Sequence, residues 1–406
     1  MSRFIILVLD GFGVGAMEDV PMVRPTDIGA NTLLHLLEAF PDLKLPNMEQ
    51  LGLMNVLGKE SAQMRPVDTA TYGWANLMHD GADTFFGHQE IMGTLPVKPF
   101  GEPIAKKLAI IAQTLRNGGF SVREQRGGRQ SFLIVNDAVS VADNIECDPG
   151  QAFNVTAAID IIPFETVLEI GKLVRSVCVV PRVIAFGGRS VTLKNLLDAV
   201  EEHGEYIGIN APRSGVYNCD YHCVHLGYGV DEVVQVSTIL GKAGVPVFLL
   251  GKAADVIQNE YGVSQSIVPT NEVLQATKRI LQQQETAFIC ANVQETDLCG
   301  HRERADKYVE ILQIADAGIG EIIPLLQGDD VLIVMADHGN DPTIGHPHHT
   351  RERVPMLIHG AHCKQGCIGV RSTLSDVAAT AAVYFGTKMP QNGTPITQVQ
   401  RTSTTK

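Results

Sequence analysis

No apolar run in these 406 residues approaches the ~18–20 residues that a membrane-spanning helix needs. The stretch Phe4–Leu9 is too short for a secretory signal and no small-residue cleavage site follows it, so the expectation is a cytoplasmic protein. Positive charge is scarce: 32 Lys and Arg stand against 45 Asp and Glu, a formal net charge of −13. That balance excludes a general nucleic-acid binder and a protein that docks on anionic membranes. It does not exclude a phosphorylated small molecule, because bound cations can invert the local field. Eight cysteines (Cys147, Cys178, Cys219, Cys223, Cys290, Cys299, Cys363 and Cys367) are scattered, unlike the disulfide framework of a short secreted chain. The C-x3-C pairs Cys219/Cys223 and Cys363/Cys367 lack the CxxC spacing and histidine partners of a zinc site. Internal repeats and low-complexity tracts are missing as well.

What remains is a chain that is 45% hydrophobic and 19% charged, enough for a sizeable core, and long enough for two domains. Phe4–Leu9 is an unbroken apolar run ending in Asp10-Gly11-Phe12-Gly13, the pattern of a parallel strand buried on both faces. The pattern recurs at residues 287–291 before Asp297, at 331–335 before Asp337, at 245–250 before Gly251-Lys252, and at 354–358. Helical periodicity lies between these runs. Tyr308, Ile311, Leu312, Ala315 and Ile319 share one face, and Asn31 can cap a helix starting at Thr32. Thr373-Leu374-Ser375-Asp376 reads as a variant capping box for a helix that Gly386 stops. The expected fold class is therefore α/β, a doubly wound, mostly parallel sheet. Residues 97–225 lack these motifs and carry a Gly/Arg-rich loop at 123–129, which predicts a smaller inserted α+β cap domain. Residues 1–96 and 226–406 would then form the core domain, ending in a polar tail, 401–406, expected to fray.

Ligands of such sheets bind beyond the carboxyl ends of the strands. Potential metal ligands collect there: Asp10; Asp297-Leu298-Cys299-Gly300-His301; and Asp337-His338-Gly339-Asn340-Asp341 with His346, His348 and His349. Asp and His together suit Mn²⁺, Zn²⁺ or similar ions, and a pair of such ions clamps the oxygens of an in-line phosphoryl displacement. Asp83-Thr84-Phe85-Phe86-Gly87-His88 supplies a hydroxyl that a base or a metal would have to activate.

These segments carry a resemblance. Asp10–Gly15, the D-T-x-x-G-H at 83–88, the D-x-x-G-H at 297–301, and D-H-G-N-D-P-T at 337–343 followed by His349-Thr350-Arg351-Glu352 resemble the phosphopentomutases. That family belongs to the alkaline phosphatase superfamily, near cofactor-independent phosphoglycerate mutase. The resemblance implies one metal on Asp10, Asp337 and His338, a second on Asp297, His301 and His349, and Thr84 bridging them as a phosphorylated nucleophile. It implies two divalent ions, with manganese expected, and a sugar bisphosphate as activator. Lys252 is similar in position to a family lysine near the active site and is read as a phosphate contact. Arg213 lies in the nearest echo of the family's R-x-x-N-R-H-D-Y stretch and is read as a grip on the distal phosphate. The family's K-P-x-S-G-T loop is replaced here by the segment 123–129, and Asp297 lies four rather than five residues before its histidine. The implied activity is a phosphomutase converting a ribose or deoxyribose 1-phosphate to the 5-phosphate. A metal-dependent phosphohydrolase or phosphotransferase acting on another small phosphorylated metabolite is the alternative, and a non-catalytic metal-binding paralogue a third reading.

Overall fold

In the computed structural model, the described residues are 2–146, 149–399 and 401. Cys147 and the tail from Thr402 lie outside them. The chain divides into two compact units, Met1–Pro96 with Asp231–Lys406, and Val97–Val230. In chain order the strands are β1 (Ser2–Leu9) and β2 (Thr71–Ala75) in the first unit. The second unit holds β3 (Val122–Arg126), β4 (Ser131–Val135), β5 (Val139–Asp143), β6 (Ala152–Ala158), β7 (Arg182–Gly188), β8 (Val200–His203), β9 (Tyr206–Ile209) and β10 (His222–Gly227). The first unit resumes with β11 (Val247–Leu250), β12 (Val263–Gln265), β13 (Thr286–Val293), β14 (Val331–Met335), β15 (Val354–His359) and β16 (Gly366–Arg371).

The first unit's sheet has the order β12-β11-β13-β1-β14-β15-β2-β16. All neighbours are parallel except β15, which is antiparallel to both β14 and β2. The sequence pattern groups β15 with the parallel strands, and the connection explains the difference. A parallel return needs a crossover of a dozen or more residues, usually helical; the segment between β14 and β15 contains no helix and is given over to the site. Strand β1 is central, and Phe4 to Leu9 are fully buried between β13 and β14. Arg3 is buried too. Its guanidinium pairs with Asp330 and donates to the carbonyls of Leu281 and Leu325. The core of this unit draws on Leu33 and Leu36 of helix Thr32–Ala39, Leu312 and Ile319 of helix Ala305–Ile322, and Val377 and Ala381 of helix Asp376–Phe385.

Asn31 caps its helix as its position predicts, accepting from Leu34 N at 3.1 Å. The expected capping box at Thr373 does not form. Thr373 Oγ1 instead donates to buried Glu90 at 2.6 Å, and the N-cap, Ser375, makes no capping bond because its hydroxyl donates to Thr94 O at 3.2 Å. Gly386 ends that helix with φ of 67°, a left-handed conformation that favours glycine.

The second unit is a separate sheet, β10-β7-β6-β5-β4-β3, with β9 pairing β5 and β8. It has its own core, in which helices Leu108–Asn117 and Phe164–Ser176 contribute Ile111, Leu115, Val167 and Ile170. The segment 123–129 is not a loop throughout: Arg123 to Arg126 belong to edge strand β3, paired with β4. Its polar sequence suits an edge, where charge discourages pairing with other chains. The expected return to the core at residue 226 falls inside β10, and the chain re-enters the first unit at Asp231. Among the described residues no helix is long and apolar enough to cross a membrane.

Candidate metal centre

The adjacent ends of β1, β13 and β14 bring three carboxylates together. Asp10 follows β1 directly, and its amide donates to Val293 O at the end of β13. Asp337 lies two residues beyond β14, and Asp297 sits on helix Glu295–His301, with His301 one turn later on the same face. All three Asp side chains are buried. The motif glycines permit close approach. Gly11 has φ of 74°, and a Cβ there would lie 2.9 Å from Asn340 Cβ. A Cβ at Gly87 would lie 2.7 Å from the carbonyl of Asp337, and one at Gly300 would strike the Asn340 amide.

Ligand atoms in three sets lie within 4.8 Å of one another: Asp297, His301 and His349; Asp10, Asp297 and His338; and Asp10, His88 and Asp337. Their hydrogen bonds define what each ring offers. His349 Nδ1 donates to Ala82 O at 2.8 Å, and His301 Nδ1 donates to Pro347 O at 2.7 Å. A carbonyl only accepts, so in the neutral ring each Nε2 carries a lone pair. These two Nε2 atoms lie 3.0 Å apart, and each lies within 3.4 Å of an Asp297 oxygen. His338 repeats the arrangement: Nδ1 donates to Gly339 O at 2.9 Å, while Nε2 faces Asp337 Oδ2 at 3.2 Å and Asp10 Oδ1 at 3.5 Å. His338 Nε2 and Asp10 Oδ1 are buried without a hydrogen-bond partner. Facing acceptors whose outer nitrogens are tied to backbone carbonyls are what a divalent cation requires, and the residues present fit one.

Charge in the cluster tells the same story. Burial, reinforced by Asp337 and Asp297 and partly offset by Lys252, pushes the Asp10 carboxyl up to about 6. Burial also opposes ionisation of Asp337, but His338 and His88 hold it well below the carboxylate range. Asp297 is likewise held low against burial by His301 and His349. Burial depresses His338, yet Asp337 outweighs it and carries the ring up to about 10. Burial lowers His349, and the hydrogen bond to Asp297 raises His301. The site thus draws in positive charge, as protons or as cations.

Thr84 opens helix Thr84–Ile91, whose N-cap Asp83 accepts from Phe86 N. Its hydroxyl donates to Asp337 Oδ2 at 2.7 Å. Lys252, at the start of helix Lys252–Val256, places its ammonium 2.9 Å from Asp10 Oδ2, 3.0 Å from Asp297 Oδ2 and 3.3 Å from Thr84 Oγ1. The fold therefore gathers Asp10, Thr84, Lys252, Asp297, His301, Asp337, His338 and His349. Arg213 belongs to the other unit, on short helix Ala211–Ser214, where it donates to Asp198 O at 2.6 Å and pairs with Glu201 at 3.3 Å. The His346 and His348 rings are tilted against each other with centroids 5.7 Å apart, and His346 lies 3.4 Å from Asp27.

Sequence reasoning passed over His88. Its Nδ1 donates to Thr84 O at 2.9 Å and its Nε2 accepts from Asn292 at 3.0 Å. Both nitrogens are therefore committed, and the ring braces the Thr84 helix. Its place four residues after Thr84, ending the D-T-x-x-G-H motif, was the available signal. Asn340, which donates to Asp297 Oδ1 at 2.8 Å, was passed over as well.

The sequence profile of the metalloenzyme superfamily matches residues 2–389. A phosphopentomutase of Acetivibrio thermocellus is 30% identical, with 95% of this chain and 96% of that one aligned. A phosphopentomutase of Clostridioides difficile is 28% identical over 97% and 98% of the two chains. Among solved structures, phosphoglycerate mutase of Leishmania mexicana aligns over 97% of each chain with a TM-score of 0.48 and 13% identity. A profile spanning both units, and an enzyme relative aligned almost end to end, make this chain a member of the metalloenzyme superfamily and, within it, of the phosphopentomutase family.

Proposed function

We propose that this chain is a cytoplasmic phosphomutase that moves a phosphoryl group between the 1- and 5-oxygens of ribose or deoxyribose phosphate by way of Thr84. The reading rests above all on the Thr84 hydroxyl, 2.7 Å from Asp337 and 3.3 Å from the Lys252 ammonium, beside the clustered side chains of Asp10, Asp297, His301, Asp337, His338 and His349. Two divalent cations, manganese by preference, would be held by Asp10, Asp337 and His338 and by Asp297, His301 and His349, supplying charge neutralisation and Lewis acidity.

The residues' own work follows from their chemistry. Phosphothreonine-84 gives its phosphoryl group to the free hydroxyl of the sugar phosphate, the P–Oγ bond breaking as the new P–O bond forms and the hydroxyl's proton passing to Thr84 Oγ1. The sugar bisphosphate turns end for end. Thr84 Oγ1 then attacks the other phosphorus, the bond from that phosphorus to its sugar oxygen breaks, and the threonine proton passes to the freed sugar oxygen. A sugar bisphosphate restores enzyme that has lost its phosphate, which accounts for the expected activator. Lys252 would steady negative charge on the transferring group. Arg213 is assigned to the distal phosphate, since a guanidinium can grip it with two parallel hydrogen bonds.

The test is Thr84→Ala in the manganese-loaded protein, followed by phosphorus NMR with pentose 1-phosphates, together with peptide mass spectrometry of the wild type. Isomerisation should vanish in the variant, and the wild-type peptide should carry phosphate on Thr84. Full turnover by the variant would refute the nucleophile, and release of inorganic phosphate in place of isomerisation would refute the mutase.

A further inference from the structure

Thr84 is presented by a partly buried loop that belongs to no helix or strand. Between β2 and the Thr84 helix the chain runs irregularly, with Leu77, His79 and Ala82 buried. Buried backbone groups outside a ladder need other partners. Here two side-chain devices supply them. Arg351 Nη2 donates to Leu77 O at 3.1 Å, and Nη1 donates to His79 O at 2.8 Å and Gly81 O at 2.5 Å. Asp19 holds the same guanidinium, accepting from Nε at 3.0 Å and Nη2 at 2.9 Å. The opposite set of groups, the loop's N–H donors, goes to Glu90, which accepts from Met78 N and His79 N, both at 3.1 Å.

The His79 ring completes the clamp. Its Nε2 accepts from Asp83 N at 3.3 Å, so in this neutral ring the proton is on Nδ1, which donates to Glu90 at 2.8 Å. Glu90 lies on the Thr84 helix itself and is anchored from outside by Thr373 Oγ1 at 2.6 Å and Leu374 N at 2.8 Å. From Leu77 to Asp83, groups of both kinds are pinned, up to the residue before Thr84.

We propose that Arg351, seated by Asp19, and the His79–Glu90 pair are positioning residues for phosphoryl transfer. They hold the 77–83 loop so that the Thr84 hydroxyl keeps its in-line attitude beside Asp337. This rests on Thr84 being the nucleophile. Only a guanidinium suits the role. Its planar fork of five donors serves three carbonyls and a carboxylate at once, and a lysine ammonium with three donors cannot. The group lies near the site without touching the reacting atoms, so its effect belongs in turnover rather than substrate affinity.

The experiment compares Arg351→Lys and Asp19→Asn with Arg3→Lys in the manganese-loaded full chain. Arg3 is a fair control, being another buried arginine held by an aspartate and two carbonyls, away from the three carboxylates. Melting is followed by circular dichroism and turnover is measured where each variant is folded. We expect kcat to fall roughly 10–100-fold in both site variants, the range for supporting residues, with KM moving less than about twofold. Arg3→Lys should melt earlier yet keep wild-type kcat. Hydrogen exchange of a peptide spanning 77–84 should quicken only in the site variants. Wild-type kcat in folded Asp19→Asn, or kcat losses that follow melting temperature in all three variants, overturns the proposal; Asp19→Asn decides it if Arg351→Lys does not fold. Thr84→Ala run alongside separates the outcomes, because activity surviving there condemns the nucleophile and not the clamp.

Discussion

Replacing Lys252 by methionine probes the site from two sides at once. The ammonium is almost buried and lies about 3 Å from oxygens of both Asp10 and Asp297. Burial disfavours its charge, but the two carboxylates hold its pKa well above the lysine range. A unit charge at that distance contributes roughly 5 kcal/mol per carboxylate at an effective dielectric near 20, before desolvation is counted. The same ammonium therefore competes with divalent cations for Asp10 and Asp297. Methionine keeps the length and removes the competitor, so Mn²⁺ affinity measured by calorimetry should rise at least about tenfold, a small part of that gross energy. Turnover should move the other way. A charge-assisted hydrogen bond to the transferring group is worth about 1.5–3 kcal/mol, so kcat/KM should fall on the order of 10–100-fold. Tighter metal binding together with slower chemistry is a combination that simple loss of folding cannot produce. Unchanged or weaker Mn²⁺ binding would refute the competition, and unchanged kcat/KM would refute the phosphate contact.

Stripping divalent cations with a chelator should abolish turnover and lower the melting temperature while far-UV dichroism persists, since the apolar core is independent of the site but Asp10, Asp297 and Asp337 repel one another; full activity in chelator would remove the metal reading. Arg213→Ala should cut isomerisation of a pentose phosphate about 100-fold, some 3 kcal/mol of transition-state binding, and spare hydrolysis of a small aryl phosphate that has no distal phosphate; equal losses on both substrates would place Arg213 in the fold or the core chemistry. Buried Asp143 in the second unit accepts from Ile104 N and Ile207 N, yet burial lifts its carboxyl from 3.8 to about 6. The folded state then holds its proton more tightly than the unfolded one. Its contribution is full below about pH 4 and is lost as pH rises through about 6, roughly 3 kcal/mol in all. Melting curves of wild type and Asp143→Asn from pH 4 to 7 should show the wild type losing ground, and parallel curves would contradict this.

Much of the core was legible in the sequence. Strands β1, β13 and β14 are buried on both faces, so their sequences are unbroken apolar runs, and an Asp shortly after such a run marks a strand end at the ligand-binding edge. The Gly-His endings of two motifs also mark real constraints, because helices 84–91 and 295–301 come too close to Asp337 and Asn340 for any side chain. Hydropathy, however, records only that a residue is buried and not what it meets. Nothing in Phe4–Leu9 announces that neighbouring Arg3 is buried against Asp330, 327 residues away. The reversal of β15 depends on a loop taking the place of a crossover helix. Thr373 looks like a cap until Glu90 from another helix claims it. Lys252 meets Asp10, Arg351 meets the loop before Thr84, and His349 joins His301 only when the strand ends are side by side. The sequence by itself determined the periodicities, the strand-end carboxylates and the hydroxyl, because these are local matters of burial and spacing. Tertiary structure alone decided which acceptors face one another and which side chains hold them there, because hydrogen bonds and charges act over a few ångströms of space, whatever the distance along the chain.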